Sequence, residues 1–113
     1  MKDDELTIRE EIIGDISRFY VKGRVNSISA NVLQHKLNEA CSLGRRDIIV
    51  NMMEVTFLSS AGIKVLLMFY KRAKTEGGSF FVDSPSENVI NVLGMAALDD
   101  MLLPGTSVQE VEG

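Results

Sequence analysis

The stretch that decides the fold is DIIVNMMEVTFLSSAGIKVLL, Asp47 to Leu67. It opens on a run in which four of the five residues from Ile48 to Met52 are apolar. A short apolar run without alternation predicts a strand buried on both faces, as in sheets covered by helices, so DIIVNMMEV reads as a strand. From Ser60 to Lys74 the spacing becomes helical. Ile63, Leu66, Leu67, Tyr70 and Ala73 share one face, and Lys64, Lys71, Arg72 and Lys74 lie mostly off it. Four small residues, Ser59, Ser60, Ala61 and Gly62, stand between the two patterns. With Ser59 as N-cap, its hydroxyl can accept a backbone N–H from the first turn, and Ser60 takes the first helical position with its own hydroxyl near the surface. Gly62 then falls inside the first turn, where it costs up to ~1 kcal/mol against alanine. A glycine there either allows close packing or keeps the surface bare for an approaching partner. The helix start also carries unpaired N–H groups and a partial positive charge, which favour an anion such as a phosphate on Ser60. The plainer reading is a serine cap followed by a small packing residue.

Working outward, ELTIREEII has Leu6 and Ile8 alternating with polar neighbours before the pattern breaks. ISRFYVKGRV alternates better, with Phe19, Val21, Gly23 and Val25 on one face and Lys22 and Arg24 on the other. Gly14-Asp15 between them is a hairpin signal. SANVLQHKLNEACSLG then reads as a helix with the stripe Val32, Leu33, Leu37, Ala40 and Cys41, capped by Ser27 or Ser29 and ended by Gly44. Past the central helix, Gly77-Gly78 is a stop and SFFVD a second short buried strand. SPSENVINVLG carries a capping box, Ser84 with Glu87, with Pro85 at the first helical position and Gly94 as its stop. Met101 to Leu103 suggests a short edge strand ended by Pro104 and Gly105. The expected fold is α/β: a small mixed β-sheet with helices packed against it, in the order ββαβαβα(β), with right-handed parallel crossovers.

The 113 residues suit a single domain, 1–113, with its core at about 6–103. A net charge of −4 argues against a nucleic-acid binder, which carries a basic excess. The apolar runs fall far short of the ~20 residues of a membrane helix, and the acidic opening MKDDELTIREE is unlike a signal peptide. The expectation is a cytoplasmic protein without membrane insertion. One cysteine, Cys41, excludes an internal disulfide and a cysteine-based zinc site, and its place on the apolar stripe makes it an inert core residue. The single histidine, His35, lies on the polar side of its helix, where nothing directs it toward Ser60 for catalysis. Gly77-Gly78 lacks a phosphate-loop pattern, Asp99-Asp100 reads as a solvated turn, and the six methionines read as core filler. No catalytic residue, metal site or cofactor is expected, and no enzyme.

The central stretch resembles the signature of the STAS domain family, shared by sulfate transporters and anti-sigma-factor antagonists. There a buried strand leads through an apolar–Asp–Ser–Ser/Thr–Gly–Leu motif into a helix. FYVKGRVNSISANVLQHKL is similar to the family's second strand, Gly-Arg turn and first helix, and GGSFFVDSPSENVINVLGMAAL to its fourth strand and third helix. In stand-alone members a motif serine is phosphorylated by an anti-sigma factor with serine-kinase activity. The unmodified form binds that kinase and frees the sigma factor; a PPM-type phosphatase restores it. By this resemblance Ser60 matches the first motif serine and is the expected phosphoacceptor, with Ser59 second, and Gly62 matches the motif glycine. Ser59 occupies the usual Asp position, Ala61 the second Ser/Thr position, and Asn51 a position where the strand commonly has Asp. The partner-binding surface is expected to comprise Asn26, Ser27, Ile28, Ser59, Ser60, Ala61, Gly62, Lys64, Met68 and Arg72. Two other roles fit the resemblance without phosphorylation: an accessory subunit docking on the ATPase of a membrane transport complex, and a scaffold for a larger stress-signalling assembly.

Overall fold

The structure, a computed structural model, describes residues 5–103. Strands β1 (Thr7–Ile13) and β2 (Ile16–Val25) form the hairpin, and α1 (Ser29–Ser42) leads to β3 (Asp47–Leu58). Then follow α2 (Ser60–Glu76), β4 (Ser79–Asp83) and α3 (Glu87–Met95). The sheet order is β1-β2-β3-β4, with β1 antiparallel to β2 and β2, β3 and β4 mutually parallel. This is the expected mixed α/β architecture. The carboxyl ends of β2, β3 and β4 therefore lie at one end of the sheet, and α1, α2 and α3 all start there.

One core joins Phe19, Val21 and Val25 of β2, Ile48, Val50 and Met52 of β3, and Phe80 and Val82 of β4 to all three helices. Leu33 and Leu37 enter it from α1, Leu66 and Phe69 from α2, Val89 and Leu93 from α3. The helices thus cover one face of the sheet. Ile49 points to the other face, outside that cluster, between Arg18 of β2 and Phe81 of β4 in the register. The expectation of a β3 covered by helices on both sides is corrected: Ile49 is shielded by its strand neighbours. The strand also runs past Val55 to Leu58, so the residues just before Ser59 are still sheet. Irregular pairing with β2 carries it there, with register shifts around Lys22 and Gly23. Gly23 sits at φ 116, and a Cβ would lie 2.8 Å from Glu5 O, so only glycine fits.

The helical faces are rotated from the expected ones. In α2 the fully buried positions are Gly62, Val65, Leu66 and Phe69, while Ile63, Leu67, Tyr70 and Ala73 pack at the margin of the core. Residues 61–70 are apolar at all positions but Lys64, so periodicity alone allowed either stripe. In α1, Val32 is half exposed and Ala30 takes its place in the core. Cys41 is only half-buried. Neither Ser27 nor Ser29 is the N-cap of α1; Asn26 Oδ1 accepts the N–H groups of Ile28 and Ser29 at 2.9 and 2.8 Å. Ser86, not Ser84, caps α3. Its hydroxyl accepts from Val89 N–H at 3.2 Å and donates to Val55 O at 2.7 Å, which ties the helix start to β3. Ser84 instead turns the chain at φ 46, Pro85 precedes the helix, and the helix runs beyond Gly94 to Met95. Asp99–Met101 form a 3-10 turn rather than a strand, and Leu102 makes a single parallel bridge to Val82. The expected stop at Pro104 and Gly105 lies outside the described residues. Met52 and Met101 are core, but Met53, Met68 and Met95 are exposed, so most methionines among the described residues do not fill the interior.

Candidate functional site

Crossing from the end of β3 into α2 requires the first-turn N–H groups to find acceptors. Ser59 supplies one: its extended backbone (φ −83, ψ 171) places Oγ 3.2 Å from Gly62 N, and its own N–H donates to Val25 O at 2.9 Å. That second bond locks the start of α2 to the last residue of β2. Gly62 completes the lock. A Cβ there would lie 2.6 Å from Leu58 Cδ1 and 2.7 Å from Val25 Cγ1, so the residue is glycine for close packing. It is buried and contributes nothing to the exposed surface. Of the two roles open to this glycine in the sequence, the packing one holds.

Ser60 is the first residue of α2, exposed, and its hydroxyl makes no hydrogen bond among the described residues. Ser59 and Ala61 flank it half-buried. The loop after β2 lies alongside because Val25 holds Ser59. Within that loop Asn26 is committed to the turn, Ser27 is exposed, and Ile28 is 77% exposed. Down α2, Lys64 and Met68 follow Ser60 at i+4 spacing and are exposed, Met68 by 42%. Arg72 drifts off this line toward α1. Its Nη1 donates to Asn38 Oδ1 at 3.1 Å and its Nε to Glu76 Oε2 at 3.2 Å, so it stitches the two helices together. The structure therefore gathers Ser27, Ile28, Ser59, Ser60, Ala61, Lys64 and Met68 at the carboxyl end of the sheet, and leaves Gly62 beneath it and Arg72 engaged elsewhere.

Two residues near this end, Phe57 and Val32, were not among those expected at the partner surface. Phe57, 38% exposed, is paired with Arg24 in the register, and the Arg24 guanidinium lies 4.4 Å from the centre of its ring. Alternation gave no signal for Phe57: it and Thr56 are both exposed between the buried Val55 and Leu58, next to the register shift between Gly23 and Arg24. Val32, half exposed on α1, lies one turn from Ile28 and adds apolar surface. Near the other end of α1, burial pushes the Cys41 thiol up, Arg72 pulls it back, and Glu76 pushes it up further. His35 stays on the exposed side, 3.5 Å from Glu39. Among the described residues there is no group of three or more His, Cys, Asp and Glu side chains that would hold a metal, and no helix long and apolar enough to cross a membrane.

A mixed four-stranded sheet with its helices on one face, and a Ser-Ser-Ala-Gly turn locking α2 to β2, define a STAS domain. The model of that family matches residues 7–111, and the chain belongs to it. It is similar to the anti-sigma-B factor antagonist of Bacillus subtilis, at 28% identity over 82 residues, which cover 73% of this chain and 74% of that protein. The crystal structure of an anti-sigma factor antagonist from Mycobacterium paratuberculosis superposes with a TM-score of 0.78 at 21% identity, covering 88% of this chain and 84% of that one. The antagonist SpoIIAA of Bacillus superposes in two states. Its unphosphorylated form gives a TM-score of 0.77 at 18% identity, with 94% of each chain covered. Its phosphorylated form gives 0.71 at 17% identity, covering 94% of this chain and 97% of that one. At these identities the structural likeness shows the fold.

Proposed function

We propose that the protein is an anti-sigma-factor antagonist whose switch is Ser60. Unmodified, it binds an anti-sigma factor with serine-kinase activity and so frees the sigma factor. Phosphorylation of Ser60 by that kinase ends the binding, and a PPM-type phosphatase restores it. The protein acts in the cytoplasm, by binding and not by catalysis. The observation that carries this reading is the division of labour between the two serines. Ser59 is occupied as the helix cap, whereas Ser60 Oγ is exposed and without a partner among the described residues.

The switch works through charge on a fixed frame. A phosphate on Ser60 brings about −1.5 to −2 charges to the positive end of α2, which favours it by about 0.3–1 kcal/mol, so the fold holds. The cost falls on the partner. A surface of ~800 Å² built around a hydroxyl, with Ile28, Met68 and Lys64 about it, cannot accept three charged oxygens without loss. A coupling of ~1–3 kcal/mol, or about 5–150-fold in affinity, suffices to exchange partners. The test is incubation with the cognate kinase and ATP, followed by mass spectrometry of the peptide holding Ser59 and Ser60. Phosphate on Ser60 is expected, with Ser60→Ala binding constitutively and Ser60→Asp binding poorly. Phosphate on neither serine, or equal partner affinity for wild type and Ser60→Asp, overturns the proposal.

A further inference from the structure

β1 ends the sheet, and among the described residues nothing pairs with its outer edge. It is exposed along almost its whole length, with Ile12 54% and Ile13 45% exposed. The hairpin determines which groups that edge offers. Its two-residue loop has Gly14 at φ 61 in the first central position, and Ile13 stands opposite Ile16. Such loops are closed by a hydrogen-bonded pair, so alternation directs the N–H and C=O groups of Arg9, Glu11 and Ile13 to β2. Those of Ile8, Glu10 and Ile12 point outward, a row of donors and acceptors with no partner among the described residues.

We propose that this edge pairs with β1 of a second copy, antiparallel about a two-fold axis at Glu10, to form one continuous eight-stranded sheet. The charge pattern of TIREEII selects the register. With Glu10 on the axis, Arg9 stands opposite Glu11 of the second copy, twice by symmetry, and Ile8 stands opposite Ile12. Moving the register by two residues in either direction sets Arg9 against Arg9 or Glu11 against Glu11, and loses both complementary pairs. Arg9 and Glu11 lie on the helix-free face and are held in place by one ring. The Arg9 guanidinium is 4.2 Å from the centre of Tyr20, and the Tyr20 hydroxyl donates to Glu11 Oε1 at 2.9 Å. About six backbone hydrogen bonds form across the edge. Glu10 opposite Glu10 opposes them and keeps the association weak, the way inward charges blunt exposed edges. The dimer leaves α2 untouched and carries its two Ser60 surfaces at opposite ends of the joint sheet, free to engage two partner molecules.

The test is sedimentation equilibrium of the whole chain from about 10 µM to about 1 mM. Wild type is expected to show a concentration-dependent dimer, and Glu10→Gln to tighten it about two- to fivefold by removing the like-charge pair. Arg9→Glu and Glu11→Arg, each alone, place like charges opposite each other and weaken it by about tenfold or more. In an equimolar mixture of those two variants, opposite charges face each other again at both sites. The mixture therefore recovers a heterodimer, which a folding defect would not do. A wild type that stays monomeric to about 1 mM, single variants that associate as wild type does, or a mixture that fails to associate, overturns the proposal.

Discussion

Replacing Gly62 with alanine separates the two roles open to this glycine. If its job were to leave the surface bare, alanine would raise helix propensity by up to ~1 kcal/mol, stabilise the domain and harm partner binding alone. The geometry gives the opposite sign. The new methyl would stand 2.6 Å from Leu58 Cδ1 and 2.7 Å from Val25 Cγ1, both inside any normal carbon–carbon contact. Leu58 can swing its terminal methyl away. Val25 cannot, because a β-branched side chain is stiff at χ1 and this one is fully buried. Forcing an extra methyl into a packed site costs typically ~1–3 kcal/mol, so after the helical gain a net loss of about 1 kcal/mol is expected. For a chain of this size that lowers Tm by about 4 °C. Urea denaturation of wild type, Gly62→Ala, Val25→Ala and the double variant forms the assay. The double variant should be more stable than the sum of the single effects requires, because truncating Val25 removes the clash. A stabilised Gly62→Ala, or strict additivity with Val25→Ala, refutes the reasoning.

The remaining predictions concern the caps and the thiol. Ser59→Ala should cost about 1 kcal/mol in urea denaturation, yet leave Ser60 phosphorylatable; loss of the phosphate with the fold intact would give Ser59 a role beyond the cap. Ser86→Ala removes both the cap of α3 and the bond to Val55 O, and should cost about 1–3 kcal/mol; a loss under about 0.5 kcal/mol contradicts the tie to β3. Burial raises the Cys41 thiol first and Arg72 lowers it second, so Arg72→Gln should move the alkylation-rate profile to higher pH, and a shift to lower pH refutes the assignment. The folded state favours the neutral thiol, so its contribution to stability is present below the unfolded pKa and fades as pH rises through the folded one.

The order of strands and helices, the hairpin and the seat of Ser59 and Ser60 follow from local chemistry alone. Alternation in ISRFYVKGRV, the unbroken run at Ile48–Met52 and the small residues at 59–62 act over one or two turns of chain, and their meaning needs no distant neighbour. Other features belong to the tertiary structure. Which side of α2 is buried depends on what lies beneath it, since an almost wholly apolar segment offers two stripes, and packing against β3, β4 and α1 selects Val65 and Phe69. Ser86 rather than Ser84 is the cap: its hydroxyl donates to Val55 O, a bond between positions 31 residues apart, while Ser84 turns the chain at φ 46. Gly62 becomes indispensable only when Val25 and Leu58 close over it. Arg72, one of several helix cations in the sequence, is drawn away from the Ser60 end of α2 by Asn38 of the neighbouring helix. A local pattern can name a residue's options, but close packing and hydrogen bonding between distant segments choose among them, because each excludes or satisfies atoms that the local sequence does not contain.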